Sequence, residues 1–257
     1  MAELCYRGGK KGFIAAVAVA CLAIGFATPA QANTIVLFDT TAGSFQVELF
    51  DSAAPNTVAN FLEYVTAGQY SNTFFHRTAT IAQSGIGIVQ GGGFTAASAP
   101  FPPEPTAIPS LTSPALELES TLPNSLGTIA MARTSIPNSA TSQFFFNSHD
   151  NTSTLPAGAS GGYAVFGQVL GNGLSILQAI EATPKLNDYF NVNPASLLGP
   201  IPLVNFDPDT ATQITADNLI TIRSVTVVPE PSTMVLALIS GVGFVALACR
   251  RAGRAGG

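Results

Sequence analysis

Between residues 34 and 227 the apolar residues come in short runs broken by Gly, Pro, Asn and Ser, and two segments alone carry helical spacing. Residues 34–38 and 44–50 read as strands, with Thr41-Ala42-Gly43 as the turn of a hairpin. Pro55 opens a helix whose apolar positions Val58, Phe61, Leu62 and Val65 share one face, and Gly68 stops it. Residues 73–78, a run beginning at Val89-Gln90, and residues 128–132, 143–147, 164–169 and 219–227 follow as strands. Residues 173–181 form a second helix on Leu174, Ile176, Leu177 and Ile180. Many short strands, two helices and no βαβ rhythm argue for a mainly β chain, a closed antiparallel barrel rather than a parallel sheet. Residues 95–123 are rich in Pro, Ser and Ala and read as surface loop. Residues 185–217 are polar, contain proline, and are too long for a simple connection.

Both ends differ from this body. Arg7, Lys10 and Lys11 precede an apolar run from Phe13 to Phe26, and Ala30-Gln31-Ala32 is a small-x-small cleavage site. Residues 1–32 therefore read as a signal peptide, with the mature chain starting at Asn33. At the other end Val228-Pro229-Glu230-Pro231-Ser232 leads into an uncharged stretch, 233–249, followed by Arg250, Arg251 and Arg254. That stretch lies at the lower limit of a bilayer-spanning helix, and the arginines beyond it favour a cytoplasmic C-terminus. Segment 228–257 resembles a PEP-CTERM sorting signal. The resemblance implies an exosortase-type processing protease as partner and an exported protein, at the periplasm or the cell surface and matrix, anchored at least transiently in the inner membrane.

Residues 33–227 are the size of one domain. They hold four basic residues (Arg77, Arg133, Lys185, Arg223) against thirteen acidic ones, 4 − 13 = −9, which excludes a nucleic-acid partner. Cys5, Cys21 and Cys249 all lie in the end segments, so the body has no disulfide framework. His76 and His149 are far apart and no body cysteine accompanies them, so a metal site is not expected. Nor is there a G-x-S-x-G elbow or a Walker-type loop.

The chemistry-bearing run is Phe74-Phe75-His76-Arg77, followed by Gln90-Gly91-Gly92-Gly93-Phe94, Met131-Ala132-Arg133, Ser142-Gln143-Phe144-Phe145-Phe146-Asn147 and Tyr163-Ala164-Val165-Phe166-Gly167. It puts a cation among aromatics and amides with no nucleophile beside it. Together these segments closely resemble the cyclophilin family of peptidyl-prolyl isomerases. The resemblance implies an eight-stranded barrel with a helix over each open end, proline-containing polypeptides as substrates, and no cofactor.

It also implies roles. Arg77 is the catalytic residue, a fixed donor favouring the twisted imide. Phe145 floors the proline pocket, with Phe75, Ile88, Leu155 and Tyr163 around it. Gln90 and Gln143 bond the substrate backbone or hold Arg77. Ala132 and Arg133 form the rim that pairs with the residue before proline. His76 is expected to point away from Arg77 and to hydrogen-bond within its strand; His149 has no carboxylate at a telling spacing. The chain departs from the family at Gly87, where an aromatic wall is usual, and in an insertion within residues 78–87. Gly87 is expected to leave one pocket wall open unless Ile81 or Ile86 fills it. Two alternatives follow: a catalytically weak binding module, or a surface or biofilm component.

Overall fold

The computed structural model describes residues 33–95, 106–111, 119–158, 161–186, 200–207, 209 and 214–229. The expected export segment 1–32 and apolar stretch 233–249 lie outside these residues. Among those described, no helix is long and apolar enough to cross a membrane.

The fold is a curled antiparallel sheet with few helices. The hairpin forms as expected: β1 (Ile35–Thr40) pairs along its whole length with β2 (Gly43–Leu49). Alternate residues of β1 are buried, so Val36 and Phe38 face inward, as period-2 geometry requires. The strands that follow are β3 (Thr73–Phe74), β4 (Arg77–Ala79), β5 (Ile88–Gly91), β6 (Phe94–Thr95) and β7 (Thr106–Ala107). After them come β8 (Thr128–Met131), β9 (Phe144–Asn147), β10 (Val165–Val169) and β11 (Thr221–Val227). In space the order is β4-β5-β9-β8-β10-β2-β1-β11-β3-β6-β7.

The expected count of eight strands is therefore corrected to eleven. The cause is local. Residues 73–78 break at Phe75-His76, so that β3 pairs with β11 and β6 while β4 pairs with β5. The next run breaks at Gly92, whose φ of 75° is open to glycine at little cost. A Cβ there would also lie 2.8 Å from the Ser142 carbonyl oxygen. The last extra segment, β7, lies inside the region read as loop and pairs with β6.

Helix α1 (Pro55–Thr66) starts on proline and ends before Gly68. Its first N–H groups are met from afar: Asn56 and Thr57 donate to the Glu119 carboxylate at 3.1 and 2.7 Å. A carboxylate at the positive end of a helix is the favourable sign. Helix α3 (Gly173–Ala182) covers a different part of the core, and Lys185 Nζ donates to the carbonyls of Glu181 and Thr183 at its C-terminal end. Between them, α2 (Ile81–Ser84) is one turn formed by the insertion.

The main core is aromatic. Phe38 stacks on Phe45 and meets Phe144 and Phe146 edge-on, while Phe61 of α1 packs 5.2 Å from Phe166. A second, smaller cluster gathers Phe74, Phe94, Leu186, Ile201, Leu203 and Leu219. It gives part of the polar 185–217 segment a place: Thr78 N–H donates to Pro200 O at 2.8 Å, and Leu203 N–H to Pro184 O at 2.8 Å.

Candidate active site

Antiparallel pairing of β4 with β5 and of β5 with β9 sets Arg77 opposite Gln90, and Gln90 opposite Phe145. The side chains complete the line. Arg77 Nη1 donates to Gln90 Oε1 at 3.1 Å, and Gln90 Nε2 donates to Gln143 Oε1 at 2.9 Å. All three are half-buried. The remaining guanidinium donors of Arg77 have no partner among the described residues. Gly93 makes room for this arrangement, since a Cβ there would approach Gln143 to 2.9 Å.

Beside this polar line lies an apolar cluster of Ala79, Ile88, Ala130, Phe145 and Val165, with Leu155, Tyr163 and Ala132 half-buried against it. Phe145 and Tyr163 meet edge to face at 5.3 Å. The guanidinium of Arg133 sits 5.3 Å from the centre of the Tyr163 ring. Its Nε donates to Gly162 O at 2.7 Å and its Nη1 to Thr134 O at 2.8 Å; Nη2 donates to Gly161 O. The backbone N–H of Ala132 is taken by Gln143 O at 2.8 Å. The backbone N–H and C=O of Arg133 have no partner among the described residues. This apolar cluster, bordered by the held guanidiniums of Arg77 and Arg133, is the candidate slot.

The structure thus brings together nine of the ten expected site residues: Arg77, Ile88, Gln90, Ala132, Arg133, Gln143, Phe145, Leu155 and Tyr163. Phe75 is the exception. It is fully buried in the main core, 6.5 Å from Phe146, and backs β5 through Gly91 rather than lining the slot.

At Gly87 the side-chain position is taken, since a Cβ there would lie 2.3 Å from His149 Nδ1. Of the two insertion residues expected to fill a gap there, Ile86 packs on the slot cluster, whereas Ile81 is 44% exposed. Across the fold His149 meets a carboxylate, Glu181, at 3.1 Å, a pairing that no sequence spacing shows. The expectation for His76 is corrected in part. His76 does pack away from Arg77, edge-on to Phe94 at 4.9 Å and Phe74 at 6.4 Å, but neither ring nitrogen makes a hydrogen bond. Burial lowers its pKa to about 4, outweighing the upward pull of the Gln143 side chain and Phe74 backbone; Arg77 lowers it further.

A buried amide network escaped the sequence reading. Asn147 donates to Thr128 Oγ1 at 2.8 Å and to Asn124 Oδ1 at 3.2 Å, and accepts from Asn151 at 2.7 Å. Asn151 grips Gly87 from both sides, accepting from its N–H at 2.9 Å and donating to its carbonyl at 2.8 Å. Asn124 bonds the carbonyls of Leu155 and Pro156. The network ties the end of the insertion to the loop that carries Leu155. The signal was an asparagine closing an otherwise apolar strand, Phe144-Phe145-Phe146-Asn147.

The chain as a whole has relatives among known proteins. The chain matches the family profile described as cyclophilin type peptidyl-prolyl cis-trans isomerase/CLD over residues 35–198. It belongs to that family. It is similar to peptidyl-prolyl cis-trans isomerase A of Dickeya dadantii, 39% identical over 191 residues covering 71% of this chain and 92% of that protein. It is also similar to the peptidyl-prolyl cis-trans isomerase of Acinetobacter baylyi, 39% identical over 155 residues, 60% of this chain and 76% of that one. A crystal structure of a Cryptosporidium parvum cyclophilin type peptidyl-prolyl cis-trans isomerase aligns with a TM-score of 0.49 at 22% identity, over 77% of this chain and 99% of that chain. This cyclophilin-type chain is a peptidyl-prolyl cis-trans isomerase, and its substrates are proline-containing polypeptides.

Proposed function

We propose that Arg77 is the catalytic residue of this isomerase and that the slot floored by Phe145 holds the proline ring. One observation carries the reading: Arg77 is held by Gln90, which Gln143 holds in turn, while its other donors stay free beside an apolar pocket. Rotation about an Xaa-Pro bond faces a barrier of about 18–20 kcal/mol set by amide resonance. At the perpendicular state the proline nitrogen becomes pyramidal and basic. A donor fixed in advance near that nitrogen, or on the neighbouring carbonyl, favours this state over both planar forms. Arginine suits the task because it stays charged and its fork is rigid. Phe145, Ile88, Leu155 and Tyr163 supply the apolar walls, and the free backbone N–H and C=O of Arg133 are placed to pair with the substrate chain.

The binding-module reading rests on Gly87 and the insertion; Ile86 of the insertion packs on the slot cluster, which favours the isomerase reading. Isomerisation of a proline peptide by the full-length protein and by Arg77→Ala tests the assignment. The expected loss is on the order of 100-fold or more with unchanged circular dichroism. Equal rates would remove Arg77 from the mechanism.

We also infer that the sheet closes into a barrel in which β3 and β4 run as one bent strand. His76 N–H bonded to Gln90 O at 3.1 Å and Phe75 N–H to Ile220 O at 3.0 Å support the bent strand, because they bridge the break between β3 and β4. From the sequence we propose that residues 33–227 are the catalytic domain, exported by residues 1–32 and handed by residues 228–257 to an exosortase-type protease at the inner membrane. Its task there is the folding of periplasmic or cell-surface proteins. N-terminal sequencing of the mature protein, with Asn33 expected first, checks the export segment.

A further inference from the structure

Of the four cationic side chains between residues 33 and 227, two are engaged away from the slot. Arg223 pairs with Asp39 at 3.4 Å, and Lys185 is spent on the carbonyls that end α3. The other two, Arg77 and Arg133, border the same apolar cluster. The path between them is short: Arg77 to Gln90 by a hydrogen bond, Gln90 beside Phe145 in the sheet, Phe145 to Tyr163 edge to face, and Tyr163 beneath Arg133. Neither guanidinium has a carboxylate partner among the described residues, where the ion pairs are His149–Glu181 and Arg223–Asp39. Glu48, Asp51 and Glu119 are bonded to Asn33, Thr34 and Thr57 instead. Among the described residues, a body of net charge −9 thus borders its slot with two guanidiniums that have no carboxylate partner.

Charge left unpaired beside an apolar floor is weakly screened and acts on whatever enters. The three carbonyls that accept from Arg133 fix its position without cancelling its charge, since carbonyls are neutral dipoles. We propose that Arg133, together with Arg77, selects for polypeptides with a carboxylate side chain directly beside the proline. This rests on the slot being the substrate site, and it makes Arg133 a specificity-determining residue through its charge as well as its backbone.

The test uses the full-length protein in mild detergent and two peptide series, one with Glu, Gln or Lys before the proline and one with the same residues after it. NMR exchange measures isomerisation without an added protease. The expected result is a kcat/KM roughly 3- to 30-fold higher for Glu than for Lys in at least one series, with Gln between them. The ratio should fall toward one in molar salt. Arg133→Gln should abolish most of the ratio, whereas Arg133→Lys, which keeps the charge but loses the forked clamp, should preserve it. Equal rates for Glu, Gln and Lys in both series overturn the inference while the site assignment stands. No turnover of any peptide overturns both. A preference that survives in Arg133→Gln removes this residue as its source. If that variant does not fold, the wild-type ratio and its salt dependence decide.

Discussion

His76 lets the acid stability of the domain be worked out from one side chain. The ring is 1% exposed, packed edge-on between Phe74 and Phe94, with neither nitrogen hydrogen-bonded. Burial lowers its pKa from 6.5 to about 4. In the folded protein the imidazole is therefore neutral down to about pH 4, while in the unfolded chain it takes up a proton from about pH 6.5 downward. Between these values the unfolded state binds more protons, so unfolding becomes easier as pH falls. The full contribution is present above pH 6.5, declines through the window, and changes no further below pH 4. Its size is about 3 kcal/mol, from about 1.4 kcal/mol per pK unit. Carboxylates titrate in the same range, so a difference measurement is needed. Urea unfolding of the wild type and His76→Phe from pH 8 to pH 3.5 supplies it. The two stability curves should differ by about 3 kcal/mol more at the acid end than at the neutral end, in favour of the variant. Parallel curves would show that the ring is not a desolvated neutral histidine.

Other perturbations probe the framework of the slot. Asn147→Ala removes a fully buried amide and strands Thr128, Asn124 and Asn151, which should cost about 3 kcal/mol in denaturant unfolding; a loss under 1 kcal/mol would mean the network is not a structural brace. Gln90→Leu leaves the fold intact but frees Arg77 and Gln143 from each other, so kcat/KM should fall about tenfold. An unchanged rate would show that Arg77 needs no such support.

The body was legible in the sequence wherever one period dominated. The 44–50 and 164–169 runs, the Pro55 helix and a turn at Thr41-Ala42 all follow from alternation, helical spacing and turn chemistry, although Gly43, read as part of that turn, opens β2. What stayed hidden depended on pairs distant along the chain. Glu119 cannot be read as the cap of a helix starting at Pro55, because no local rule links positions 62 residues apart. His149 with Glu181, and Gly87 with His149, meet through tertiary packing for the same reason. The site was legible through its motifs, but Phe75 shows the limit of reading roles from a run of neighbours. Two residues before Arg77, it belongs to the main core instead.

That run also explains why the slot can be held firmly. Phe75, His76 and Arg77 are consecutive, yet they enter three surroundings: the main core, the second cluster and the slot. An unbroken strand would put residues 75 and 77 on one face and leave 76 to the other. The break between β3 and β4 relaxes that rule, and hydrogen bonds from Phe75 to Ile220 and from His76 to Gln90 secure the chain across it. The edge of β4 is closed by Pro200, which accepts from both the N–H and the hydroxyl of Thr78. Residues 200–204 are thereby tied to β4, the strand of Arg77, and Ile201 and Leu203 join the cluster on which His76 rests. A donor that acts by being in place before the substrate twists gains from backbone anchored on both sides. The segment that looked like an overlong polar connection contributes part of that anchorage.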